Sequence, residues 1–412
     1  MGKPFIFRIG YLVSQYPAIS HSFILREVLT LRNLGIEIEP ASINLPDRSS
    51  NQLIESERIE AERTFYVKKT PLLQVFIAII ATFFRSPFSF VSALFFCLHL
   101  SGTNLRAGIY NCFYFIEAVL IAQWMRRVSL SHLHVHFATP AATVALILKH
   151  LAQVSFSLTI HGPDEFYDVS GYYLTEKVAE AKFICAISIY ARSQLMKVSP
   201  PDQWGKLEVA PLGINPEVFQ PRPFRENPER FEILCVGRLV PAKGQHILLQ
   251  AVSLLRLEGR ELLLRLVGDG PDRQSLEHEV QRLGMSQDVR FEGAVNQDRI
   301  RDFYLTADTF VLASFAEGIP VVLMEAMSME IPCISSWITG IPELIRHEID
   351  GLLIAPSSVN DLALAIKRLM DNNSLRLCIG QAGRLRVIER FHLERNTKLL
   401  ADIFHSRLGV CS

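Results

Sequence analysis

An α/β chain of two Rossmann-like halves is predicted by three observations: short apolar runs rich in β-branched residues, glycine-containing loops directly after them, and helical patterns that follow each loop. The second half shows the alternation most clearly. ILCV (Ile233 to Val236) reads as a strand with a Gly237-Arg238 exit. After a loop with Pro241 and Lys243-Gly244, the apolar positions Ile247, Leu248, Ala251, Val252 and Leu255 share one helix face. LLLRLVGDGPDRQSLEHEVQRLG repeats strand, turn and helix, and VRFEGAV (Val289 to Val295) adds a strand. TFVLAS (Thr309 to Ser314), a helix through Glu325, IPCISS (Ile331 to Ser336) and a last strand near Gly351 to Ala355 complete the series, with helices to the end. At 412 residues the chain suits two domains on the usual scale of about 150 residues each. The proline- and charge-rich QPRPFRENPER places the junction near residues 220 to 230.

Composition excludes several classes. Lys and Arg total 42 and Asp and Glu total 42, which argues against a dedicated nucleic-acid binder. The cysteines, at 97, 112, 185, 235, 333, 378 and 411, are odd in number and form no C-x-x-C pair, the usage of a reducing compartment. The first apolar run reads as a strand rather than a secretory signal. Residues 63 to 127 differ from the rest. They carry Arg63, Lys68, Lys69, Arg85, Arg106, Arg126 and Arg127 against Glu117 alone, interleaved with VFIAIIATFF and FSFVSALFFCLHL. The uncharged stretch Ser86 to Leu105 contains Pro87, His99 and Gly102, so the segment is expected to form amphipathic helices lying on the cytoplasmic face of a membrane, with a purely internal core as the alternative.

The chemistry-bearing residues gather at strand ends. Glu317 falls where a strand gives way to its loop, Gly318-Ile319-Pro320 turns the chain into a helix, and Glu325 lies eight positions on. Two carboxylates accept hydrogen bonds from hydroxyl groups, and a helix N-terminus attracts phosphate. Arg238 and Lys243 sit at the same sheet edge, where two cations suit a diphosphate without a metal. Gly268 and Gly270 are expected to let the backbone approach a ligand, and the loop at Gly293 to face a nucleobase. His132, His134 and His136 alternate on one strand face, but no carboxylate or cysteine cluster accompanies them, so they read as structural rather than as metal ligands.

VGRLVPAKG, LVGDGP, VRFEGAV, AEGIPVVLMEAM and GIPELIRHEIDGLLI occur in the order and approximate spacing of retaining family-4 glycosyltransferases, which the chain resembles most strongly over residues 205 to 408. FRIGYLVSQYPAISHSFILREVLTLRNLGIEI resembles the opening of colanic-acid and amylovoran exopolysaccharide glycosyltransferases: a strand, a loop, and a helix through Phe23, Leu25, Val28 and Leu31. Where many relatives have a Gly-rich loop, this chain has Ser14-Gln15-Tyr16-Pro17.

The resemblance implies a GT-B fold, two Rossmann-like domains facing across a cleft. Residues 1-220 form the acceptor side, 221-390 bind the nucleotide sugar, and 391-412 are a helix returning to the first domain. It implies that Arg238 and Lys243 hold the donor diphosphate, Glu325 the ribose hydroxyls and Glu317 the transferred sugar, with the backbone amides of Gly318 and Ile319 orienting sugar or phosphate. His161, ending the strand FSLTIH, would lie against the donor sugar. Ser14, Asp164 and Glu165 are the acceptor-side candidates. The donor would be a UDP- or GDP-sugar, with no cofactor and no metal, and the acceptor a glycan on polyprenyl diphosphate. Two other readings stand beside this one: a phosphorylase or sugar-nucleotide epimerase on the same fold, and a non-catalytic membrane-associated assembly partner.

Overall fold

The computed structural model describes residues 7–409, so Cys411 lies outside it. The chain forms two units. One runs to Ala210 and takes in the chain from Thr397 onward; the other is Pro211–Asn396.

The first unit holds seven strands: β1 Phe7–Gln15, β2 Ile36–Asn44, β3 Phe65–Tyr66, β4 His132–His136, β5 Ser155–Ile160, β6 Ile184–Ala186 and β7 Leu207–Val209. All pair in parallel, in the order β3-β2-β1-β4-β5-β6-β7. A parallel sheet is covered by helices on both faces, which is why every residue of β4 is buried. The helix Pro140–Ala152 is buried along most of its length, and the helix Ser22–Asn33 turns Ile24, Leu25, Val28 and Leu31 inward.

The second unit holds β8 Phe231–Val236, β9 Leu262–Val267, β10 Val289–Gly293, β11 Thr309–Leu312, β12 Cys333–Ser336 and β13 Leu352–Ile354. These are also parallel, in the order β10-β9-β8-β11-β12-β13. Each sheet is therefore doubly wound. The strand order reverses between β1 and β4 in one and between β8 and β11 in the other, and the crevice beyond the carboxyl ends at such a reversal is where this architecture binds ligands.

The junction differs from the one the proline-rich segment suggests. That segment belongs to the second unit, because its charges are partnered there. Arg222 donates to the Ala307 carbonyl, Arg225 lies 3.4 Å from Asp308, and Arg376 donates to the Arg225 carbonyl at 2.6 Å. At the other end, the helix Leu393–Leu408 contributes Leu400, Ala401, Ile403 and Phe404 to a first-unit core with Ile9, Tyr11 and Val28.

The basic apolar segment folds as three helices, Leu72–Arg85, Pro87–Leu100 and Leu105–Arg127. Pro87 starts the second of these, where its missing N–H costs nothing. The third helix lies partly in the core. Ala118, Val119, Ile121, Ala122 and Met125 are core residues, and Trp124 stacks on Phe65.

Candidate functional site

In the second unit, the loops leaving β8 and β11 bring opposite charges together at the reversal of strand order. β8 ends at Val236, and a short helical turn, Pro241–Lys243, carries Lys243 beneath the loop after β11. Gly244 permits this approach. Its φ is 62°, and a Cβ there would stand 2.1 Å from the Ala313 carbonyl oxygen. Lys243 Nζ lies 2.5 Å from Glu317 Oε1, and the Ser314 hydroxyl donates to the same oxygen at 2.7 Å. Glu317 is 7 % exposed, and among the described residues no group donates to its Oε2. The Arg238 guanidinium is exposed and likewise has no partner among the described residues. One carboxylate oxygen and one cation are thus left for a ligand.

Gly318 and Ile319 follow Glu317 and lead through Pro320 into the helix Val321–Ser328. Thr339 donates to the Glu317 carbonyl, and Gly340 lies so close that a Cβ would reach 2.5 Å from the Gly318 oxygen. Glu325 is the fifth residue of that helix, and it is buried. Its Oε2 accepts from the Tyr304 hydroxyl at 3.1 Å.

The glycines after β9 have a different task from the one their spacing suggests. A Cβ at Gly268, whose φ is 139°, would meet the Gly237 oxygen at 2.0 Å, and one at Gly270 the Leu239 oxygen at 2.3 Å. They let the β9 loop pack on the β8 loop that carries Arg238, so the close approach they permit is to protein backbone. Gly293 sits at a register irregularity at the end of β10, where its oxygen accepts from the Gly268 N–H at 2.8 Å.

In the first unit, His161 follows β5 and is buried. Its Nε2 lies 2.9 Å from His136 Nδ1, and its Nδ1 has no partner among the described residues. Burial, then His136 and His21, holds its pKa well below the usual imidazole range, so the ring is neutral. His136 Nε2 in turn lies 3.3 Å from Glu27, which accepts from Tyr11 at 3.0 Å. His132 and His134 are each held by two hydroxyls, from Ser155 and Ser157 and from Ser157 and Thr159. Among the described residues no cluster of His, Cys, Asp and Glu could hold a metal ion.

Glu165 is committed to backbone. It is 2 % exposed and accepts from the backbone N–H groups of Ala138, His161 and Gly162, tying the loop after β5 to that after β4. Burial raises its pKa to about 7 against those three donors, beside the buried Lys177, which donates to the Ala138 and Thr139 carbonyls. Asp164 is exposed, and Ser14, within β1, approaches the Thr139 hydroxyl at 3.5 Å. The partners Ser314, Tyr304 and Thr339 escape the sequence reading. Only Ser314, three residues before Glu317, carries a local signal, because the other two come from separate elements.

The family model of group 1 glycosyl transferases matches residues 218–386, which include Arg238, Lys243, Glu317 and Glu325. The amylovoran biosynthesis glycosyltransferase AmsK of Erwinia amylovora is 25% identical over 418 residues, covering 96% of this chain and 98% of that protein. WcaL of Escherichia coli (strain K12), named for colanic acid biosynthesis, is 24% identical over 427 residues, covering 97% and 100%. Among solved structures, Anabaena Alr3699/HepE in complex with UDP-glucose has a TM-score of 0.73 at 17% identity, covering 97% of this chain and 99% of that one. A glycosyltransferase from Rickettsia africae ESF-5 has a TM-score of 0.70 at 18% identity, covering 99% and 100%. The chain has the GT-B fold and carries a glycosyltransferase group 1 domain.

Proposed function

We propose that the protein transfers a sugar from a UDP- or GDP-sugar, with retention and without a metal, to a lipid-carried glycan during exopolysaccharide assembly at the cytoplasmic face of the membrane. The observation that carries this reading is the Lys243–Glu317 pair at 2.5 Å with Glu317 Oε2 left open, and the exposed Arg238 guanidinium on the same β8 loop as Lys243. As the bond to the sugar breaks, negative charge builds on the departing diphosphate. Arg238 and Lys243 neutralise it, and the N-terminus of the helix Val321–Ser328 adds its dipole. Glu317 Oε2 accepts from a hydroxyl of the transferred sugar while Oε1 anchors Lys243. Glu325, held by Tyr304, accepts from the ribose hydroxyls. His161, in the first unit, is neutral and fixed through His136, a hydrogen-bonding ring rather than a cation. The relatives named for amylovoran and colanic acid biosynthesis support the exopolysaccharide assignment.

The test is the anomeric configuration of the transferred sugar, read by NMR on product made in the presence of EDTA. Retained configuration at an undiminished rate is expected. An inverted product, or activity that EDTA abolishes and a divalent ion restores, overturns the corresponding part of the proposal.

A further inference from the structure

The helices Leu72–Arg85 and Pro87–Leu100 leave much of their apolar bulk exposed. Each is 14 residues long and fully buries only two, four positions apart: Ala78 and Thr82 in the first, Ala93 and Cys97 in the second. These small side chains let each helix sit close against the helix Leu105–Arg127. Gln123 donates to the Ala78 carbonyl at 3.1 Å, and Asn111 donates to the Cys97 carbonyl at 3.1 Å. Of the bulky side chains, Val75, Ile79, Phe90, Leu94 and Phe96 pack partly against the core, while others face outward. Phe88 is 90 % exposed, Leu72 86 % and Phe84 77 %, and the first half of the helix Leu105–Arg127 continues the surface with Leu105 at 85 %. A helix bathed in water turns its bulk inward. Leaving this much apolar surface wet costs about 25 cal/mol for each Å², and a patch of this kind marks an interaction site.

Charge identifies the occupant. Between Lys68 and Ile116 the sequence holds no Asp or Glu, while Lys68, Lys69, Arg85 and Arg106 are exposed at the helix ends. A second copy of the same face would set cations against cations. A bilayer with anionic headgroups supplies both the apolar interior and the negative rim. Length and shape then limit the depth. Fourteen residues reach about 21 Å, short of the ~30 Å hydrocarbon core. The two helices also bend by 115° where they meet. The third helix is longer but spends its second half in the protein core.

We infer that this three-helix face docks on an anionic bilayer, its phenylalanines and leucines entering the boundary between headgroups and acyl chains and its cations meeting phosphate, without crossing. It deepens the membrane placement proposed above and rests on that part alone.

Full-length protein is floated with vesicles of phosphatidylcholine with and without phosphatidylglycerol. Strong binding is expected only with the anionic lipid. The Phe84→Ser/Phe88→Ser/Phe95→Ser variant, altered only at exposed positions, is expected to lose at least about tenfold in vesicle affinity, with unchanged thermal unfolding and unchanged donor hydrolysis. Replacing Lys68, Lys69, Arg85 and Arg106 by Gln is expected to remove the dependence on phosphatidylglycerol and on salt. Folded wild-type protein that ignores both vesicles overturns the inference, as does a serine variant that binds like the wild type. A wild-type dimer that the serine variant converts to monomers, with no vesicle binding by either, overturns it in favour of a second copy on this face. Loss of donor hydrolysis in wild type with vesicle binding intact would count against the donor site and leave this surface standing.

Discussion

A lysine touching a glutamate is ordinary on a protein surface; at Lys243 and Glu317 the pair is sheltered and unequally satisfied. Both donors fall on one carboxylate oxygen, so the group is held in place without being used up. Lys243→Ala is therefore expected to lower turnover by about two orders of magnitude while leaving the fold intact, since it removes charge at the departing diphosphate. Steady-state kinetics check this, and turnover within a factor of about two of wild type would contradict it. Glu325→Ala is expected instead to raise the donor KM about tenfold, the loss of roughly one good hydrogen bond to a charged acceptor. Arg238, Lys243 and Glu317 stand out in the sequence because each lies in the loop that follows a strand, whereas Glu325 lies within the helix Val321–Ser328. Glu165 shares such a loop, and its position there gives no warning that three backbone amides enclose it.

At the scale of elements, glycines and histidines set the tolerance of the sheets. Gly268→Ala would place a methyl group 2.0 Å from the Gly237 oxygen in a backbone conformation that alanine resists. It is expected to cost about 3 kcal/mol and to loosen the loop bearing Arg238, seen as a lowered unfolding midpoint together with weaker donor binding. Sequence reading assigned this glycine to a ligand because both uses call for the same missing Cβ. The histidines carry a pH dependence. Burial lowers His132 to about 3 and holds His134 and His161 well below the ordinary value of 6.5. The unfolded chain takes up protons near that ordinary value while the folded strands refuse them. Their contribution is thus complete above about pH 6.5 and is lost as pH falls toward the depressed values, by up to about 1.4 kcal/mol per pH unit for each ring. Denaturant midpoints measured at about pH 7, 6 and 5 should fall in that order. Equal midpoints would mean the rings protonate freely in place.

Across the whole molecule, the strand-and-helix alternation was readable because parallel strands buried on both faces must be written as continuous apolar runs. The unit boundary was not, since a segment rich in proline and arginine looks the same whether it is a free linker or a belt bonded to one unit. The last helix shows how the ends of the chain share a core: Phe404 packs edge-on to His134 at 4.9 Å and beside Phe183 at 5.9 Å. Phe404→Ala is expected to destabilise the first unit by about 4 kcal/mol, measured by denaturant unfolding, with little effect on donor affinity in the second.

The most direct test of the central claim is a combined thermal-shift and hydrolysis screen of the purified protein against UDP-, GDP- and ADP-sugars with EDTA present. The account predicts that one nucleotide class stabilises the protein and is slowly cleaved to its diphosphate, and that Lys243→Ala slows the cleavage by about two orders of magnitude. A folded protein that no nucleotide sugar stabilises or reacts with, with or without vesicles carrying a lipid-linked acceptor, would contradict it and favour a scaffold without catalysis.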